Sequence, residues 1–207
     1  YGVARTYPDL DTALENAFDA SVVATPAHLH VSIATRLAGA EHHLLIEKPL
    51  STGLEGIDRL KEVAKEKGLV AGVAYVYRAH PALAEMKRAV DSGRFGKPVQ
   101  IVSVTGQHFP TYRPAYREIY YTDRATGGGA VQDAMTHMIN YGEWLAGPVE
   151  RLAADAAHQV LGGVEVEDTV HVLTRKGSVL RSYSLNQFQA PNESSITLVC
   201  EEGVARF

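Results

Sequence analysis

The stretch His43-Leu44-Leu45-Ile46-Glu47-Lys48-Pro49-Leu50 decides how this chain folds. Its short apolar run reads as a buried strand of a parallel sheet. Pro49 lacks the N–H that would continue the ladder. Glu47 and Lys48 therefore fall at the carboxyl edge of the sheet, where open α/β sheets bind their ligands. A lysine there can reach into a crevice, although a plain strand followed by a charged turn has the same pattern.

The flanks repeat this grammar. Upstream, residues 9–18 carry Leu10, Ala13, Leu14 and Ala17 at helical spacing, with Asp9 as an N-cap. Residues 20–25 are a β-branched strand stopped by Pro26, and residues 28–39 are a helix ended by Gly39. Downstream, Ser51 is placed to cap a helix over 51–67, and a strand follows over 69–74. Strands alternating with helices predict a parallel sheet with right-handed crossovers.

Past a helix expected at 82–92 the grammar changes. Residues 98–109 read as one long strand, and 110–126 as a long loop rich in tyrosine and arginine. Gly127-Gly128-Gly129 lead into a helix over 130–145. Strand-like runs then recur near 150–160, 166–174, 178–188, 195–200 and 204–207. That half reads as a mostly antiparallel sheet with a helix on one face. The expected fold class is α/β: a partial Rossmann-type parallel sheet over 1–78, then an α+β domain over 79–207 with a large, mostly antiparallel open sheet.

Composition narrows the function. The 207 residues are 45% hydrophobic and 21% charged, with a net charge of −4. That is ordinary for a globular protein and lacks the basic surface that phosphate backbones require. No apolar run approaches the ~20 residues that span a bilayer, so the expectation is a cytoplasmic protein with no membrane or nucleic-acid partner. The single cysteine, Cys200, lies in an apolar strand and reads as a buried thiol. No His, Cys or Asp spacing suggests a metal site.

Several side chains could carry chemistry. Thr25-Pro26 and Glu47-Lys48-Pro49 both end strands, and His30 sits one turn beyond the first. Asp133 and His137 are four apart and would share one helix face, a carboxylate beside an imidazole suited to acid–base work or to holding substrate hydroxyls. The three glycines before them permit close approach of a ligand or an unusual dihedral, and equally a flexible loop end. Arg113, Tyr116 and Arg117 lie in the long loop and could hold a carboxylate, phosphate or sugar. Tyr75, Tyr77 and Arg78 could line a crevice or simply pack.

Taken together, Ala24-Thr25-Pro26-Ala27-His28-Leu29-His30, Glu47-Lys48-Pro49, Gly93-Arg94-Phe95-Gly96-Lys97-Pro98 and Gly127-Gly128-Gly129-Ala130-Val131-Gln132-Asp133-Ala134-Met135-Thr136-His137 resemble, in order, the glucose–fructose oxidoreductase / inositol dehydrogenase / MocA (Gfo/Idh/MocA) family. The resemblance runs over nearly the whole chain. It implies an oxidoreductase using NAD or NADP, moving a hydride between the nicotinamide and a hydroxyl carbon of a sugar, cyclitol or sugar derivative. Lys48, Asp133 and His137 look like its catalytic residues, placed in a cleft between the two domains. Thr25, Pro26, His30, Glu47, Lys48 and Pro49 look like its cofactor side, and Arg113 and Tyr116, with the catalytic three, its substrate side. A homo-oligomer through the C-terminal sheet is expected. Some members instead use bound NAD to cleave glycosides by transient oxidation and elimination, and a non-catalytic binding relative is a third possibility. The family's opening Gly-x-Gly-x-x-Gly unit is not in this sequence, which begins at Tyr1 and closes on a strand-like run. The expectation is a fragment missing roughly 60 residues at about 30 per βαβ unit, inactive on its own.

Overall fold

The computed structural model describes residues 2–207, which divide into two compact units, the first ending at Ala74 and the second being Tyr75–Phe207.

In the first unit, β1 (Ala20–Val23), β2 (His43–Ile46) and β3 (Ala71–Val73) form a parallel sheet in the order β1-β2-β3. Helices α2 (His30–Gly39) and α3 (Ile57–Glu66) form the crossovers, following the short helix α1 (Leu10–Leu14). Val23, Leu44 and Ile46 pack with Ala34, Leu37, Leu60 and Val63. Each of the valine, leucine and isoleucine side chains removed from water contributes about 1.5–3 kcal/mol. Asp9 caps α1 through a bond from the Thr12 N–H, but the helix stops at Leu14, short of the span its apolar spacing suggests.

The long helix expected from residue 51 starts only at Ile57. Ser51 Oγ accepts the Gly53 N–H and closes a local turn instead of capping a helix. Gly56 holds the N-cap position at φ 75°, a conformation that glycine adopts without Cβ strain.

The second unit is a six-stranded sheet in the order β5-β6-β7-β4-β8-β9, with β4 (Pro98–Gly106), β5 (Arg151–Ala157), β6 (Thr169–Lys176), β7 (Val179–Asn186), β8 (Glu193–Cys200) and β9 (Val204–Arg206). Only the β4–β7 pairing is parallel; the other ladders are antiparallel. Helices α4 (Pro81–Asp91) and α6 (Thr136–Ala146) cover one face, and α5 (Phe109–Tyr112) opens the loop after β4. Leu83, Met86, Met138, Tyr141 and Leu145 pack there on Ile101, Val170, Val172, Tyr183, Leu185, Ile196 and Leu198. Cys200 is buried in the same core.

Strand β4 sorts its side chains between two faces. Ile101 and Ser103 face the core, where Ser103 is bonded to the Tyr141 hydroxyl at 2.5 Å. Val102 and Val104 face the other side of the sheet, in register with Ser182 and Ser184 of β7. That side also carries Leu173 and Leu180, both more than half exposed.

Candidate functional site

In the first unit, two strand ends are tied together. His30 is almost fully buried; Nδ1 lies 2.8 Å from the Pro49 carbonyl oxygen and Nε2 2.7 Å from that of Thr25. The imidazole thus bridges the turns after β1 and β2. Sequence reasoning put His30 on the cofactor side. Its ring is buried inside the unit, and both of its nitrogens are engaged by the two turns.

Thr25 and Pro26 are exposed, and Glu47 and Lys48 half-buried. The Lys48–Pro49 peptide is cis. Glu47 Oε2 accepts the Lys48 N–H at 3.1 Å. A hydroxyl, an ammonium and two turn backbones thus lie at the carboxyl edge of a parallel sheet, where open α/β sheets bind their ligands. The pyrophosphate cradle, Gly-x-Gly-x-x-Gly, is not among these 207 residues.

In the second unit the loop over 107–127 is not a solvated loop. It folds into consecutive single helical turns, with Phe109, Tyr116 and Tyr121 packed on Leu161, Val164 and Val166. Their rings meet tilted or edge-on at 5.2–6.2 Å, the geometry aromatic pairs prefer. Tyr116, expected to touch substrate, is only 1% exposed and donates its hydroxyl to the Gly162 carbonyl. It is a core residue here, and the aromatic cluster is the physical reason. Arg117 is spent on the same carbonyl at 2.8 Å.

The glycines serve the chain itself. Gly127 and Gly129 have φ of 105° and 87°, and a Cβ on Gly128 would sit 2.3 Å from the Tyr121 carbonyl oxygen. The close approach seen at Gly128 is that of the loop's own backbone. These three residues let the loop turn tightly into the helix that carries Asp133.

That helix opens with a π-helical segment, Val131–Met135, before becoming α6. Such wider turns recur at functional sites. They also spoil the simple rule that residues four apart stack, so the shared face inferred for Asp133 and His137 does not follow from their spacing alone.

Asp133 is buried, and its carboxylate accepts from Arg113, Gln187 and Tyr120. Arg113 Nη1 reaches Oδ2 at 2.8 Å, Gln187 Nε2 the same oxygen at 3.2 Å, and the Tyr120 hydroxyl Oδ1 at 2.9 Å. Arg113 also donates to Tyr120 Oη at 3.1 Å, and its guanidinium lies 4.7 Å from the centre of the Phe109 ring. Burial works against the Arg113 charge, but Asp133 and Tyr120 prevail and hold its pKa above the ordinary value. Burial, with the Asp133 charge beside it, raises that of Tyr120.

His137 is half-buried between two edge-on rings, Tyr75 at 5.6 Å and Tyr77 at 5.5 Å. Tyr77 continues to Tyr141 at 5.4 Å. Tyr75 and Tyr77 thus pack on the imidazole. Tyr120 and Gln187 were invisible to motif reading because neither stands in a recognisable pattern.

A description of an oxidoreductase family with an NAD-binding Rossmann fold matches residues 1–75, and one of a GFO/IDH/MocA C-terminal domain matches residues 83–206. The levoglucosan dehydrogenase of Pseudarthrobacter phenanthrenivorans is 30% identical over 181 residues, 74% of this chain and 45% of its own length. The myo-inositol 2-dehydrogenase of Thermotoga maritima is 26% identical over 185 residues, 86% of this chain and 53% of its own. Among solved structures, the WlbA dehydrogenase of Bordetella pertussis, in complex with NADH and UDP-GlcNAcA, superposes with a TM-score of 0.87 at 29% identity, over 98% of this chain and 62% of that one. The chain spans about half the length of the curated relatives it matches.

Proposed function

Because the chain belongs to the Gfo/Idh/MocA oxidoreductase family, we propose that it forms part of an NAD(P)-dependent dehydrogenase acting on a hydroxyl carbon of a sugar, cyclitol or sugar derivative. The observation that carries this reading is the buried Asp133 carboxylate, anchored by Arg113, Tyr120 and Gln187 in the helix that also bears His137. The named activities of the two curated relatives, on levoglucosan and on myo-inositol, agree with it in substrate class.

The nicotinamide, when bound, accepts or returns the hydride. This chain's residues handle the proton and the charge. His137 takes the proton of the reacting hydroxyl; imidazole is the side chain best suited to do so near neutral pH. Lys48 is assigned a hydrogen bond to the oxygen as negative charge develops. Asp133, an acceptor at both oxygens, orients hydroxyls or the imidazole. Arg113 and Tyr120 stand at the substrate side. Thr25, Pro26, Glu47, Lys48 and Pro49 are assigned to the nicotinamide end of the dinucleotide, with His30 holding their turns in place.

The uncovered face of the six-stranded sheet, with Leu173, Leu180 and Val204 about half exposed or more, suits a second copy of the chain. The activity is tested in the full-length protein by following NADH or NADPH formation with a panel of sugars and cyclitols. His137→Ala and Lys48→Ala should each lower turnover severely, and near-normal turnover in either would remove that residue from its role.

A further inference from the structure

Behind Asp133 lies a second layer of buried polar groups. Tyr121 is fully buried, and its hydroxyl makes a close hydrogen bond to Gln187 Oε1. Burial, with Asp133, Glu167 and Asp168 nearby, raises the pKa of that phenol, so it keeps its proton and donates. The Gln187 amide therefore has its oxygen committed to Tyr121. Its NH2 group must face the other way, where it meets Asp133 Oδ2 at 3.2 Å. The bonds run in one direction, from phenol to amide to carboxylate.

Gln187 is itself fixed at both ends of its peptide. Its N–H donates to the Asp168 carbonyl at 3.0 Å, and its own carbonyl accepts the Phe109 N–H at 3.0 Å. These bonds tie it to the entry of β6 and to the start of the loop after β4. A 1% exposed glutamine whose every polar group is directed in this way holds one position.

We propose that Gln187 is a positioning residue of the active site, aimed by Tyr121 and setting the orientation of the Asp133 carboxylate from the core side, opposite in sequence to the loop residues Arg113 and Tyr120. The role rests on the dehydrogenase reading above; the relay itself does not. Loss of this charge-assisted donor, felt in the transition state, should lower kcat roughly tenfold to hundredfold.

The test is a double-mutant cycle in the full-length enzyme with Gln187→Leu, Tyr121→Phe and both together, read by kcat, KM, NADH dissociation constant and urea midpoint. Gln187→Leu should lower kcat in that range and leave NADH affinity within about twofold. Tyr121→Phe should lower kcat less, and should cost little more once Gln187 is already Leu. Should Gln187→Leu fail to fold, Tyr121→Phe carries the kinetic test, because it removes only one oxygen. A wild-type kcat in either single variant overturns the positioning role. Urea midpoints that add independently overturn the relay whether or not the enzyme is active. Coupled midpoints in a protein that oxidises no sugar or cyclitol keep the relay and overturn the dehydrogenase reading together with the kinetic role built on it.

Discussion

The Arg113 guanidinium donates to the Asp133 carboxylate at 2.8 Å, with the acid side chain 4% exposed and the arginine 30%. The pair joins the loop after β4 to the π-helical turn at the head of α6. Removing the arginine leaves a buried carboxylate short of a charged donor, which is costlier than losing a surface ion pair. Arg113→Ala should lower kcat/KM by about tenfold to a hundredfold, and Arg113→Lys should recover only part of it because it lacks the planar fork. Steady-state kinetics on the two variants measure this.

His30 gives a prediction about the first unit. Its ring spans the turns after β1 and β2 and is 1% exposed. His30→Ala removes both bonds and opens a cavity, and should cost roughly 2–4 kcal/mol. Urea denaturation followed by tryptophan-independent circular dichroism is the measurement, since Trp144 lies in the second unit.

Asp168 predicts the acid behaviour. It is fully buried, and burial opposes its charge, yet its carboxylate accepts the N–H groups of Gln159, Val160 and Leu161 at 2.7–2.9 Å and the Thr169 hydroxyl at 2.9 Å. These bonds prevail and lower its pKa from the ordinary carboxylate value. A lowered folded-state pKa means that its contribution is complete above the unfolded pKa of about 3.9 and is lost as pH falls through the folded value. Thermal melts should show stability dropping below about pH 4, with a shallower drop in Asp168→Asn, whose melting temperature at pH 7 is also lower.

Gly128 supplies a steric prediction. A Cβ there would meet Tyr121 and Asp123 backbone atoms at 2.3–2.8 Å, and neither can rotate away. Gly128→Ala should destabilise the second unit by about 1–3 kcal/mol and move the head of the helix bearing Asp133, so kcat should fall with the melting temperature.

Local pattern made the strands legible. His43–Ile46 and its neighbours are short apolar runs closed by proline or glycine, and they emerge as the parallel ladders expected. Ser51 misled because a hydroxyl that can cap a helix can equally close a turn on Gly53. The loop over 110–126 was legible as a loop but its packing was not, because its stabilising contacts, Tyr116 and Tyr121 with Leu161 and Val166, come from distant sequence. The same holds at Asp133. Its own helix was legible, but Gln187 reaches it from 54 residues away, and no periodicity encodes that. The π-helical turn was hidden for a different reason: the regular ~3.6-residue periodicity used to read the helix assumes uniform turns, and Val131–Met135 departs from them.

The most direct measurement of the central claim uses the full-length protein, NAD or NADP, and sugars or cyclitols carrying deuterium on each candidate hydroxyl carbon. Transfer of the label to the nicotinamide, abolished in His137→Ala, is the predicted result. Glycoside cleavage with no net reduced cofactor, or no label transfer from any compound of this class, would contradict it.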